Sequence, residues 1–107
     1  MFNNMGNMQG MVKKMQKMQT DMTQMQEQVK AQEFEAKAGG GAVGVTVSGG
    51  KELLKVKIDP SVLNEEDAEL LGDMVIAAVN EAHRKIDQTI EQEMAKITGG
   101  IKLPGLL

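Results

Sequence analysis

Three lysines stand close together near the start of the chain: Lys13, Lys14 and Lys17 fall within little more than one helical turn. Cations so spaced, with Gln16, Gln19 and Gln24 among them, suit contacts to phosphate oxygens or to a minor groove. Arg84 with Lys85, and Lys55 with Lys57, are two further basic pairs of second rank. The plain alternative for each set is a solvated face, and it weighs more heavily on the two pairs than on the N-terminal cluster.

Other constellations carry less. Glu65, Glu66, Asp67, Glu69 and Asp73 have the composition of a divalent-cation site. Acids in the first turns of a helix are far more often partners of its macrodipole, and that is the reading adopted. His83 is the one histidine and there is no cysteine, which removes disulfides, thiol catalysis and cysteine-ligated zinc. Gly39-Gly40-Gly41 and Gly49-Gly50 lack the Lys-Ser/Thr ending of a phosphate-cradling loop and read as turn glycines. No Ser-His-Asp or paired-carboxylate arrangement is present. The expectation is a protein without catalytic residues, metal, cofactor or small-molecule substrate.

The chain has 107 residues, enough for one small domain, and its 41% hydrophobic and 25% charged residues suit a folded protein. Net charge is -3, so binding to nucleic acid through overall positive charge is disfavoured while a local basic face remains open. With two Phe, no Trp and no Tyr, stacking of bases on an aromatic platform has almost nothing to use. No apolar run approaches the roughly 18 residues of a membrane span, and no signal peptide is read at the N-terminus. A cytoplasmic location is expected.

Methionine is the anomaly: eight of the ten fall in the first 25 residues. Met8, Met11, Met15, Met18, Met22, Met25 and Val29 alternate steps of three and four, the a/d repeat of a helix-pairing seam. Met1 and Met5 share the phase, but Gly6 and Gly10 each weaken helix by about 1 kcal/mol relative to Ala, which places the helix start near Asn7. A helix over 7–32 follows, with one narrow stripe that requires an opposing helix.

Residues 33–58 change period. Phe34 to Ala38 alternates weakly and stops at three glycines; Val43, Val45 and Val47 alternate with Gly44, Thr46 and Ser48; Leu54, Val56 and Ile58 alternate with Lys55 and Lys57. This predicts a three-stranded antiparallel meander with one apolar face. Gly49 and Gly50 are expected to supply the positive φ of a hairpin turn, and Gly44 a bulge or a close backbone approach. Asp59-Pro60 ends the sheet, and Asn64 with Asp67 resembles a capping pair before a helix over 65–97. That helix has a broad apolar face through Ala82, thinning to Ile86, Ile90, Met94 and Ile97, and a short apolar tail follows over 98–107. The fold class is α+β, in the order α-β-β-β-α, as a single domain over 1–107. Two single-striped helices and three strands leave apolar surface in water, so a homodimer with projecting helical arms is expected.

The order of elements and several phrases together resemble the YbaB/EbfC family of bacterial nucleoid-associated proteins. The phrases are Met15-Gln16-Lys17-Met18-Gln19, Ala38-Gly39-Gly40-Gly41, Val56-Lys57-Ile58-Asp59-Pro60-Ser61-Val62-Leu63, Ala77-Ala78-Val79-Asn80-Glu81-Ala82, Lys96-Ile97-Thr98-Gly99-Gly100 and Leu103-Pro104-Gly105. The resemblance implies a small cytoplasmic homodimer of tweezer-like shape that binds double-stranded DNA, resides in the nucleoid and has no catalytic site. The family has no invariant base-reading motif, so the resemblance names no contact residues.

Charge distribution selects among the basic sets. Through Gln32 four lysines face two acids, whereas Asp59 to Thr98 holds ten acids against Arg84, Lys85 and Lys96. The preferred DNA surface is therefore Lys13, Lys14 and Lys17 with Gln16, and Arg84 and Lys85 follow. Few cations on projecting arms imply weak, salt-sensitive binding that reads backbone or shape more than sequence. The rival reading is a Met-rich helical module that holds a partner protein or apolar peptide, or a scaffold that does not bind DNA.

Overall fold

The computed structural model describes residues 2–99, with side chains from residue 8 onward. The expected tail from Ile101 and the side chains of Met1 and Met5 lie outside the described residues. The order is α1 (Phe2–Ala31), β1 (Glu33–Ala38), β2 (Val43–Ser48), β3 (Leu53–Ile58) and α2 (Ala68–Thr98). The three strands form one antiparallel sheet in the order β1-β2-β3. The α-β-β-β-α fold read from the sequence is the fold observed.

The core is built where period-2 and period-3.6 patterns meet. Val43, Val45 and Val47 point to one face of the central strand with Ala36 of β1, and α2 lays Met74, Ala78, Ala82 and Ile86 over them. The two alanines let the helix axis come close to the sheet, and Ile86, Val43 and Val47 are the largest fully buried side chains. The helix packs on β1 and β2 and leaves β3 outside its footprint. Two polar contacts fix its heading. Lys85 donates to the Glu35 carbonyl of β1 at 2.6 Å, and Lys51, in the β2–β3 turn, pairs with Asp87 at 2.9 Å.

Several local expectations are corrected. Helix α1 begins at Phe2 rather than Asn7, so Gly6 and Gly10 are carried inside a continuous helix. A cost of about 1 kcal/mol per glycine is a weak prior that helical neighbours on both sides can offset. Helix α2 begins at Ala68 rather than Glu65. Asn64 and Asp67 do bond reciprocally, with the Asp67 N–H on Asn64 Oδ1 and Asn64 Nδ2 on Asp67 Oδ2, both at 2.8 Å. That box closes a separate turn before the helix instead of its first turn.

In the β2–β3 turn the positive φ belongs to Lys51 (69°), with Gly49 and Gly50 on the ordinary side. Lys51 N donates to Ser48 O and Ser48 N to Glu52 O, both at 2.8 Å, so the connection has three residues with the left-handed one last. Gly49 is required for a different reason: a Cβ there would lie 1.7 Å from the Val29 carbonyl oxygen. The expected irregularity at Gly44 lies instead between Thr46 and Val47, where the β3 register slips by one residue at Leu53-Leu54. Gly39, at φ 62°, lies under Met74, whose sulfur would be 2.0 Å from an added Cβ.

Asp59 ends β3 as expected. Its carboxylate accepts from the Ser61 N–H at 2.9 Å and opens a 3-10 turn over Pro60–Val62; that backbone hydrogen bond holds its carboxyl below the usual range.

Gly49→Ala should lower stability well beyond the few tenths of a kcal/mol of an ordinary surface change, because backbone rather than a flexible side chain stands in the way. Chemical denaturation against the parent chain measures it, and an unchanged midpoint would contradict the tight α1–turn contact.

Candidate nucleic-acid interface

The arm is built by two helices leaving the same end of the sheet. Gly49 N donates to Gln32 O at 2.9 Å, and Lys51 reaches Asp87, so the foot of α1, the β2–β3 turn and the middle of α2 share one end. From there α1 runs backward and α2 forward along each other as an antiparallel pair. Met25, Val29 and Met94 are buried between them, with Met22, Ile90 and Ile97 packed alongside. The chain thus supplies its own opposing helix for the lower half of the methionine stripe.

The two helices differ in reach. Beyond Asp87, α2 extends roughly 16 Å at 1.5 Å per residue, ending at Gly99 in the left-handed conformation. The 30 residues of α1 run much farther, and the molecule is 76 Å long against 22 and 16 Å across. The upper seam positions Met8, Met11 and Met15 overhang the end of α2, and Met15 is 67% exposed. Met18, the fourth of the seven seam positions, is half-buried at the boundary.

Lys13, Lys14 and Lys17 are carried on this overhanging segment and all are exposed. Helical geometry places Lys13 and Lys17, four residues apart, on the side away from the methionines, with Lys14 at the margin of the stripe. Lys17 pairs with Asp21 at 3.0 Å; among the described residues Lys13 and Lys14 make no ion pair. An exposed helical pair of this kind is worth only a fraction of a kcal/mol, so a phosphate can compete for Lys17. Gln16 is exposed on the same segment, and its backbone carbonyl accepts from the Thr20 hydroxyl at 3.0 Å.

Arg84 and Lys85 are placed elsewhere and differently. Arg84 is held by Glu81, with Nε at 3.0 Å from the carboxylate, and Lys85 is spent on the Glu35 carbonyl. Both sit over the sheet, away from the α1 tip, so the fold does not bring the two basic sets together. Lys85 is a strut between α2 and β1, a role invisible to local sequence reading. His83 is half-buried on α2. Among the described residues no group of three His, Asp or Glu side chains is placed to hold a metal ion.

The second-rank pair Lys55 and Lys57 gains a partner that local sequence does not reveal, Lys37. The register aligns Lys37 with Gly44 and Gly44 with Lys57, and places Lys55 one row along, opposite Thr46. Lys37, Lys55 and Lys57 therefore share the sheet face that no helix covers. Their even spacing from β2 partners was the signal, but it requires the strand register.

Comparison with known proteins agrees with this architecture. Residues 5–101 match the model of the YbaB/EbfC DNA-binding family. A nucleoid-associated protein of Alkaliphilus metalliredigens is 49% identical over 100 residues, covering 94% of this chain and 88% of the relative. A nucleoid-associated protein of Agathobacter rectalis is 51% identical over 96 residues, covering 90% and 85%. Among solved structures, an uncharacterized protein from Helicobacter pylori superposes with a TM-score of 0.67 at 25% identity, covering 92% of this chain and 98% of that one. A match to the family model over nearly the whole chain, with relatives about half identical along it, makes this chain a member of the YbaB/EbfC DNA-binding family, which is not a family of enzymes.

Proposed function

We propose that the chain acts as a homodimer in the nucleoid of the cytoplasm, binding double-stranded DNA without catalysis and with little sequence selectivity, and thereby influencing nucleoid organisation and gene expression. The observation that carries the reading is the free end of α1, where Lys13, Lys14, Lys17 and Gln16 stand exposed beyond the last turn of α2. A helix that projects into solvent with cations on one side can follow a phosphate backbone. With no aromatic platform it has little with which to read bases.

The dimer follows from what α2 leaves bare. Val56 pairs with Val45 and so points to the helix side of the sheet, yet Leu53, Leu54 and Val56 are exposed because α2 lies over the other two strands. On α2, Ile76 adds a further apolar side chain that is 60% exposed. A large apolar side chain gains about 1.5–3 kcal/mol on burial, so several from each of two copies can outweigh the several kcal/mol lost on association. A second copy fits this surface because it brings the same patch.

The alternative, a module that binds a partner protein or apolar peptide, draws on the uncovered Met8, Met11, Val12 and Met15. Flexible thioethers suit adaptable apolar contacts.

Light scattering should give about twice 11.6 kDa. Leu54→Lys with Val56→Lys should shift the protein toward the monomer, and a dimer indifferent to both would place the interface elsewhere. In gel shifts on random-sequence duplex, the wild type should bind at low salt and release steeply as salt rises. Contact of the α1 tips with two or three phosphates per protomer contributes about -4 to -5 to the log–log slope of the dimer. Lys13→Glu with Lys14→Glu should weaken binding by about tenfold or more. No shift by the wild type at low salt would favour the partner-protein reading, and binding indifferent to the double change would move the contact off α1.

A further inference from the structure

We propose that the helix-free face of the sheet is a second phosphate-binding surface for duplex DNA, formed by Lys37, Lys55 and Lys57 around the side-chain-free Gly44. The inference rests on the DNA-binding reading above and assigns it a surface distinct from the α1 tip.

The register carries the placement. Lys37, Gly44 and Lys57 form one row across the three strands, and Glu35, Thr46 and Lys55 form the next row on the same face. Strand spacing puts the Lys37 and Lys57 backbones roughly 10 Å apart on either side of Gly44, with Lys55 about 7 Å along β3 from Lys57. All three lysines are exposed, and among the described residues none makes an ion pair. Glu35 stands across Thr46 from Lys55 and Glu33 lies nearer the start of β1, so the row of Lys37, Gly44 and Lys57 carries cations and no acid. Asp59, next after β3, has its carboxylate turned to the Ser61 N–H.

Gly44 is the second observation. It stands in the middle of the central strand, where a glycine weakens a sheet and a β-branched residue would strengthen it. Nothing in the fold demands it: its φ is not positive, the bulge lies elsewhere, and an added Cβ would meet nothing nearer than Lys37 Cγ at 3.8 Å. What its missing side chain does provide is a shallow hollow between two flanking cations. A polyanion with its charges on a ridge, as in the backbone of a duplex, can settle there with backbone and both ammonium groups in reach.

The test uses fluorescence anisotropy of a random-sequence duplex with full-length protein across a salt titration. Lys37→Ser/Lys55→Ser/Lys57→Ser should bind at least tenfold more weakly at low salt. Its log–log salt slope should be shallower by about 2–3 per protomer, because each lost phosphate contact removes about 0.9. Gly44→Val changes no charge; it should hold or raise the thermal midpoint and yet weaken binding several-fold by filling the hollow. A triple variant with native circular dichroism and an unaltered slope would overturn the lysine surface while leaving DNA binding intact. Wild-type affinity in a folded Gly44→Val would overturn the role of the hollow. A wild type that fails to bind at low salt would remove the DNA-binding reading itself, and this surface with it.

Discussion

The seating of α2 on two of the three strands decides most of what this molecule presents. Ala78 and Ala82 bring the helix down onto Val43, Val45 and Val47, with Ile86 and Met74 filling the ends of the contact. Small side chains at the point of closest approach permit a tight fit but also a narrow one. A single helix cannot roof three strands from that position. Lys85 on the β1 side and Asp87 on the turn side then fix the direction in which it leaves the sheet. The bare β3, the helical arm and the uncovered outer face all descend from this one packing choice.

The arm obeys the same logic. Past Asp87 the apolar face of α2 narrows to Ile90, Met94 and Ile97, which is enough to grip Met22, Met25 and Val29 of α1 and no more. Because α2 stops at Thr98, its pairing with α1 stops there, and among the described residues no helix lies against the methionines farther out. The outcome is graded: a packed core, a two-helix stalk, then a single helix carrying cations on one side and thioethers on the other. Unbranched methionine suits this gradation, since it packs where a neighbour exists and tolerates water where none does.

Much of this was legible in the residues, and what was not has physical causes. Alternation and turn glycines gave the three strands to within a residue, because each pattern is local. The three-four spacing of the methionines required an opposing helix but could not say whose, since stripe width is blind to which chain supplies the cover. The capping pair Asn64–Asp67 was recognised and its bonds are made, yet one turn early, because several polar residues in succession offer competing starts. The positive φ of the turn went to Lys51, leaving Gly49 to answer a steric demand from Val29 that lies twenty residues away. Lys85 and Lys37 owe their settings to tertiary packing and strand register respectively, neither of which has a short-range signature.

The slipped register at Leu53-Leu54 has a bearing on assembly. A bulge bends its strand and sharpens the local twist, so the exposed side of β3 is not a straight ladder. A straight apolar edge invites one molecule after another to add on and grow a fibre; a kinked one, bordered by Lys55 and Lys57, offers a poor template for such runaway growth. That flank can therefore stay greasy without becoming a seed for an endless stack.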